Sequence, residues 1–156
     1  MAAAAGERVR NDGPRVHVKT ARPWRGVRRS ALVNAALVTL ARAAPSVRGD
    51  VTVVLTTDRA IRALNRKYRG HDRATDVLSF DIGSGLAKSE PFGDVVISVE
   101  TARRQAREYD APLQTELVRL LVHGTLHLCG YDHQERRDAA RMHGLTRRLV
   151  SALTAS

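Results

Sequence analysis

The stretch LVRLLVHGTLHLCGYDH, Leu117 to His133, holds three of the chain's six histidines, His123, His127 and His133. The first two are four residues apart, so on a helix both imidazoles leave one face, a turn apart. Leu117, Val118, Leu120, Leu121, Val122, Leu126 and Leu128 are apolar nearly all round, the pattern of a buried central helix. Gly130 offers the residue best suited to the left-handed position that ends a helix. Tyr131 and Asp132 then turn the chain so that His133 can return toward the first two. Three neutral imidazoles meeting in this way hold one divalent metal, most naturally zinc, and leave a fourth position open to water. A structural zinc would normally be closed by four protein ligands, so the pattern points to catalysis. A single histidine on an apolar helix is usually an ordinary core residue; two at this spacing plus a third past the glycine are not ordinary.

The same H-x3-H-x5-H spacing serves the zinc of metzincin peptidases, where a glutamate directly after the first histidine is the general base. Here that position is Gly124, so peptide hydrolysis by that route lacks its proton carrier.

A chain of 156 residues is long enough for one domain that buries about 70% of its unfolded surface. Hydrophobic residues at 43% and charged ones at 27% suit a globular chain. There are 26 Lys+Arg against 16 Asp+Glu, a net charge of +10. Residues 1–50 contribute most of it, with ten basic and three acidic groups. Such a balance favours polyanions, and nucleic acid first. Cys129, the single cysteine, allows no internal disulfide and reads as a small buried apolar residue. Neither a membrane-spanning stretch nor a secretory signal is evident, and cytoplasm is the expected location.

Residues 1–14 read as a disordered basic tail and residues 15–153 as a single metal-dependent hydrolase domain. Arg15–Thr20 alternates as an edge strand, with His17 on the surface. A helix from about Val27 to Ala44 should bury Val33, Ala36, Leu37, Leu40 and Ala44. Asp50–Thr57 is β-branched and reads as a buried strand. Thr57 or Asp58 can cap the next helix, which turns Ile61, Leu64 and Tyr68 to the core and closes at Gly70. Its other face carries Arg59, Arg62, Arg66 and Arg69, a stripe that continues past the helix to Arg73. Arginine's forked donors suit phosphate, although a charged stripe is more often a solvated face. Thr75–Ile82 and Gly93–Ser98 read as strands, joined by a loop, Gly83–Phe92, expected to be mobile or substrate-facing. A polar helix over Val99–Tyr109, the histidine helix after Pro112 and a last helix past His133 complete the chain. His143, on that last helix, lies off the ligand frame. The sum is an α/β (α+β) domain with a mixed four-stranded sheet, about five helices and a central buried histidine-bearing helix.

HGTLHLCGYDH, preceded by LNRKYRGHDRATDVLSF and GDVVIS in that order, resembles the YbeY family of bacterial endoribonucleases. The resemblance spans roughly Val51 to Leu149, and the eleven-residue histidine motif is highly specific. It implies that His123, His127 and His133 bind one Zn2+ per chain, and that Arg69, in YRG, is a functionally important arginine. It implies a single-strand-specific endoribonuclease that matures the 3′ end of 16S ribosomal RNA and takes part in ribosome quality control. The implied partners are ribosomal RNA and the small ribosomal subunit, with a ribosome-associated GTPase and small-subunit proteins beside them; no membrane partner is expected. Asp81 follows LSF where the family usually has proline, and the N-terminal extension has no evident counterpart.

Chemically, a three-histidine zinc brings the pKa of bound water to about 7. Zinc and Arg69 would counter the charge that develops on phosphate, which makes Arg69 and His123 the catalytic candidates. Arg66, Arg69 and Arg73 are the RNA-binding candidates. Gly124 would leave room for substrate backbone. Asp132 could orient a ligand histidine or merely cap its turn. Two other classes fit the same features: a metallopeptidase, disfavoured by Gly124, and a non-catalytic RNA-binding assembly factor braced by zinc.

Overall fold

The computed structural model describes residues 13–132 and 134–155. Of the tail expected over residues 1–14, all but Gly13 and Pro14 lies outside the described residues, and so does His133. The elements run β1 (Val16–Thr20), α1 (Arg29–Ala43), β2 (Val51–Thr56), α2 (Asp58–Arg69), β3 (Val77–Asp81), β4 (Gly93–Ser98), α3 (Val99–Glu108), α4 (Leu113–Leu128) and α5 (Arg136–Thr154). The fold is α/β, with one four-stranded mixed sheet and, among the described residues, five helices. None of the described helices is long and apolar enough to cross a membrane.

The sheet order is β1-β2-β4-β3. β1, β2 and β4 are parallel, so each connection between them must cross a face of the sheet, and α1 and α2 lie on those crossings. β3 joins β4 antiparallel, with Val77 opposite Ile97 and Ser79 opposite Val95. β1 and β3 are therefore the edges. Alternation in β2 sends Val51, Val53 and Leu55 to one face, where with Val95 and Ile97 they meet α1, α3 and α4 in the main core. The other face is smaller: Ile61 of α2 packs on Leu78 and Val96, with Leu64 and Phe80 beside them.

Local signals set both ends of α2. Thr57 caps α2 by accepting the Ala60 N–H at 3.2 Å, and Gly70 ends it at φ 73°. Two of the expected faces are shifted. α1 buries Leu32, Ala35, Ala36, Thr39 and Leu40 and leaves Val33 and Leu37 only half-buried. Tyr68 is not a core residue; it is 57% exposed and meets Phe80 edge-on at 5.4 Å between ring centroids. The loop from residue 83 to 92 is fastened, not loose. The Gly85 carbonyl accepts the Arg48 and Gly49 N–H groups at 2.7 and 2.9 Å, and the Phe92 N–H donates to the Asp50 carbonyl at 2.9 Å.

Asp58 ties the starts of two helices to the sheet. Its Oδ1 accepts the Ser98 and Thr101 hydroxyls at 2.6 and 2.5 Å, its Oδ2 pairs with Arg104 at 2.9 Å, and its N–H donates to Glu100 at 2.8 Å. Burial pushes this carboxyl up, but the Ser98, Thr101 and Arg104 donors outweigh it, and the pKa falls below its ordinary value of 3.8. A depressed carboxylate stabilises the fold fully above its unfolded pKa and loses that contribution as pH falls through the folded value. Asp58→Asn is therefore expected to lower stability at neutral pH by roughly 2 kcal/mol. Melting curves taken from about pH 6 down to pH 3 should show the gap to the wild-type chain constant at first and closing below about pH 4. A gap that widens in acid would refute this role.

Candidate active site

α4 is apolar on almost every side because it runs between the sheet and three other helices. It starts at Pro112, whose extended φ of −63° and ψ of 149° suit the residue before a helix. It ends in a Schellman turn: the Gly130 N–H donates to the His127 carbonyl and the Tyr131 N–H to the Leu126 carbonyl, both at 3.0 Å, with Gly130 at φ 94°. Between these ends His123 and His127 stand one turn apart, their ring centroids 4.8 Å from each other and their planes at 75°. One turn before His123, Arg119 grips Glu116 with two hydrogen bonds of 2.9 and 2.6 Å. Glu116 is only 2% exposed, so this arginine's charge is taken up within the helix.

Gly124 faces the sheet. A Cβ there would sit 2.7 Å from Val95 Cγ1 and 3.1 Å from both Ser79 Oγ and Val77 Cγ2. The Ser79 hydroxyl donates to the Gly124 carbonyl at 2.8 Å. The room expected at Gly124 for substrate is thus occupied by β3 and β4. A glutamate at this position would have to enter the core, so its absence is a packing requirement as well as a missing base.

Val77, Ser79 and Asp81 share the face of β3 turned to α4, while Leu78 and Phe80 face α2. The Asp76 carbonyl accepts the Ser98 N–H at 2.9 Å, so by antiparallel alternation the carbonyl of Ser79 lies on the unpaired edge. Arg69 reaches that edge from α2 and donates to the Ser79 carbonyl at 2.5 Å, its guanidinium 5.4 Å above the Phe80 ring. The result is a cleft of about 500 Å³ that opens across β3, with Asn65, Arg69, His71, Ser79, Asp81, His123 and His127 on its walls.

Arg66 and Arg73 are not among the residues on those walls. Farther along the stripe, Arg62 pairs with Asp72 at 2.9 Å, and this bond holds the Asp72 carboxyl below its ordinary range. His71 and Asp81, assigned no role from sequence, do line the cleft. Strand parity carried the signal for Asp81, two residues past Ser79. His71 follows directly on the turn that ends α2.

Asp132 accepts the Gln134 N–H at 3.2 Å, which closes the turn after α4. It lines a separate recess with Cys129, Asp138 and Arg141. Burial pushes the Cys129 thiol up to about 12, so it stays protonated and acts as an apolar residue. His17 bonds Asp50 at 2.9 Å at the far edge of the sheet, and His143 is exposed on α5. The donor chemistry of the cleft fits a divalent metal: two imidazoles on one helix face at its wall, with neither a thiolate nor a basic residue between them. No trio of potential ligands is assembled among the described residues, which do not include His133.

A family profile described as Endoribonuclease YbeY matches residues 21–154. A curated protein named Endoribonuclease YbeY from Myxococcus xanthus is 51% identical over 104 residues, 65% of this chain and 35% of that protein. Its namesake from Rhizobium meliloti is 44% identical over 112 residues, 70% of this chain and 67% of the relative. The chain thus spans about a third of the first relative's length and two thirds of the second's. A Thermotoga maritima protein known from a solution structure aligns at a TM-score of 0.58, with 26% identity over 88% of each chain.

The packing at Gly124 has a direct test. Alanine normally favours a helix over glycine by about 1 kcal/mol. Gly124→Ala should nevertheless destabilise the protein by about 1–3 kcal/mol, because valine methyls inside the sheet cannot move aside. Denaturant unfolding measures it; an unchanged or raised midpoint would mean that α4 does not need this close approach.

Proposed function

The chain belongs to the YbeY family, and from that premise we propose that it is a zinc-dependent endoribonuclease that cuts single-stranded RNA in the cleft across β3. The observation that carries this reading is the convergence of Arg69, from one layer of the fold, and His123 and His127, from the other, on one cleft. His123, His127 and His133 are the proposed ligands, the third supplied by the HGTLHLCGYDH motif. When bound, the metal supplies an activated water and a positive charge toward a phosphate oxygen. Arg69 faces the developing negative charge of the phosphodiester. Its guanidinium is already held by the Ser79 carbonyl and the Phe80 ring, so little reorganisation is needed as charge builds. His71 offers a further hydrogen-bond donor to phosphate, and Asp81 an acceptor for a sugar hydroxyl. The substrate class rests on Arg69 beside the two imidazoles in the cleft and on the family's printed name. Within that class we assign 3′-end maturation of 16S ribosomal RNA, ribosome quality control and a cytoplasmic location.

The metallopeptidase reading is disfavoured by Gly124, whose site is filled by Val95, Ser79 and Val77. An assembly factor that binds RNA without cutting it is separated by experiment. Zinc-loaded protein should cut single-stranded precursor ribosomal RNA and leave casein intact, and chelation should abolish cutting. His127→Ala should lose the metal by elemental analysis and the activity with it. Cutting that survives in metal-free protein would overturn the zinc assignment, and RNA binding without cutting would favour the assembly factor.

Arg69→Ala separates substrate from metal. It should retain full zinc content and the fold, with a melting temperature lowered only by the lost Ser79 contact, while RNA cleavage falls by about 10²–10³-fold, the usual cost of losing one preorganised charge donor. Loss of zinc in this variant would place Arg69 in support of the metal.

A further inference from the structure

The basic charge is not concentrated at the cleft. Five arginines, Arg22, Arg25, Arg103, Arg104 and Arg107, together with Trp24 and Glu100, line a recess of about 450 Å³ where the chain leaves β1 and passes α3. Trp24 is anchored by its Nε1–H to the Thr20 hydroxyl at 3.1 Å, and the Arg22 guanidinium stacks 3.8 Å above its ring. Arg103 reaches the Arg25 carbonyl at 3.5 Å, which ties the loop to the helix. The acidic groups there are already engaged. Asp58 is paired with Arg104, and Glu100 accepts the Asp58 N–H. Arg22, Arg25, Arg103 and Arg107 have no carboxylate partner among the described residues. Arg103 and Arg107 are also four apart on one helix, a like-charge spacing that weakens a helix. This arrangement has no compensating carboxylate among the described residues, which leaves the recess open to an external anion.

We infer that this recess is a second RNA-binding surface, which grips the phosphates of a strand whose scissile segment lies in the catalytic cleft. This rests on the endoribonuclease reading. The geometry favours a strand over an acidic protein. The guanidiniums line one recess, and Arg22 is held there by the Trp24 ring, so the forked donors are presented together to the phosphates of a strand. The recess connects to the cleft through α3: Gln105 Nε2 donates to Asp76 Oδ2 at 3.2 Å, and Asp76 is on the cleft wall. A strand of more than a few nucleotides can engage both, which raises affinity without any new contact at the cut.

The test uses zinc-loaded protein and cleavage-resistant phosphorothioate RNA of two lengths, about four and about sixteen nucleotides, within the usual range of single-strand sites. Arg25→Gln with Arg107→Gln alters two exposed side chains that have no bonded partner among the described residues. The double variant should keep its melting temperature and bind the short strand as before. For the long strand the slope of log K against log salt should flatten by about 1.4, from two lost contacts at about 0.7 each, and affinity should fall about tenfold or more. Arg22→Gln, on the same row, should add a further loss and guards against an idiosyncratic double variant. An unchanged slope for the long strand overturns the inference, as does binding of polyglutamate at this surface in preference to RNA. These outcomes are independent of cutting: a protein that cuts RNA but shows no length-dependent loss refutes the recess alone, and a protein that cuts none refutes the endoribonuclease reading.

Discussion

α4 can lie against β3 and β4 only because position 124 carries no side chain. The Ser79–Gly124 hydrogen bond and the crowding of Val77 and Val95 around the glycine set how close the helix comes and how it is rotated. That rotation sends Leu117, Leu121, Leu126 and Leu128 into the core and leaves His123 and His127 beside the edge of the sheet. A protein interior is packed too tightly for the helix to turn without opening a void or a clash. The imidazoles are therefore positioned by the core, and their exactness is inherited from apolar contacts that take no part in chemistry.

The site also depends on β3 being an edge strand. An interior strand would be flanked on both sides, and α2 and α4, which pack on opposite faces, would have no common opening. At the edge they have one, and the long side chain of Arg69 reaches it to satisfy a carbonyl that the sheet leaves unpaired. Open edges invite pairing with other chains unless something occupies them. Here the occupying group is the cation that the proposed chemistry uses, so protection of the edge and assembly of the site are one contact.

Charge is distributed by the same economy of partners. Two carboxylates in or near the core are each matched to one arginine, Asp58 with Arg104 and Glu116 with Arg119. Exposed Asp72 takes Arg62 out of the stripe on α2. Among the arginines without a carboxylate partner in the described residues, Arg69 faces the cleft and four line the recess beside Trp24. Of a net charge of +10, these are two places where cations line a concave surface; most of the rest is solvated.

Much of this was legible in the chain itself. The four strands, the helices between them, the Thr57 cap and the turns at Gly70 and Gly130 follow from side-chain period and backbone preference, which act between near neighbours. The shared face of His123 and His127 follows from the same local geometry. Contacts between distant residues decided the rest. Only packing turned Gly124 toward Val95, left Tyr68 on the surface, fastened the residue 83–92 loop to Gly49, and selected Arg69 over Arg66 and Arg73 for the cleft. A helix face is written in sequence as a period, but which surface it meets is not. That depends on how strands far apart in the chain align, and in this protein β4 had to be inserted between β2 and β3 before the cleft could exist.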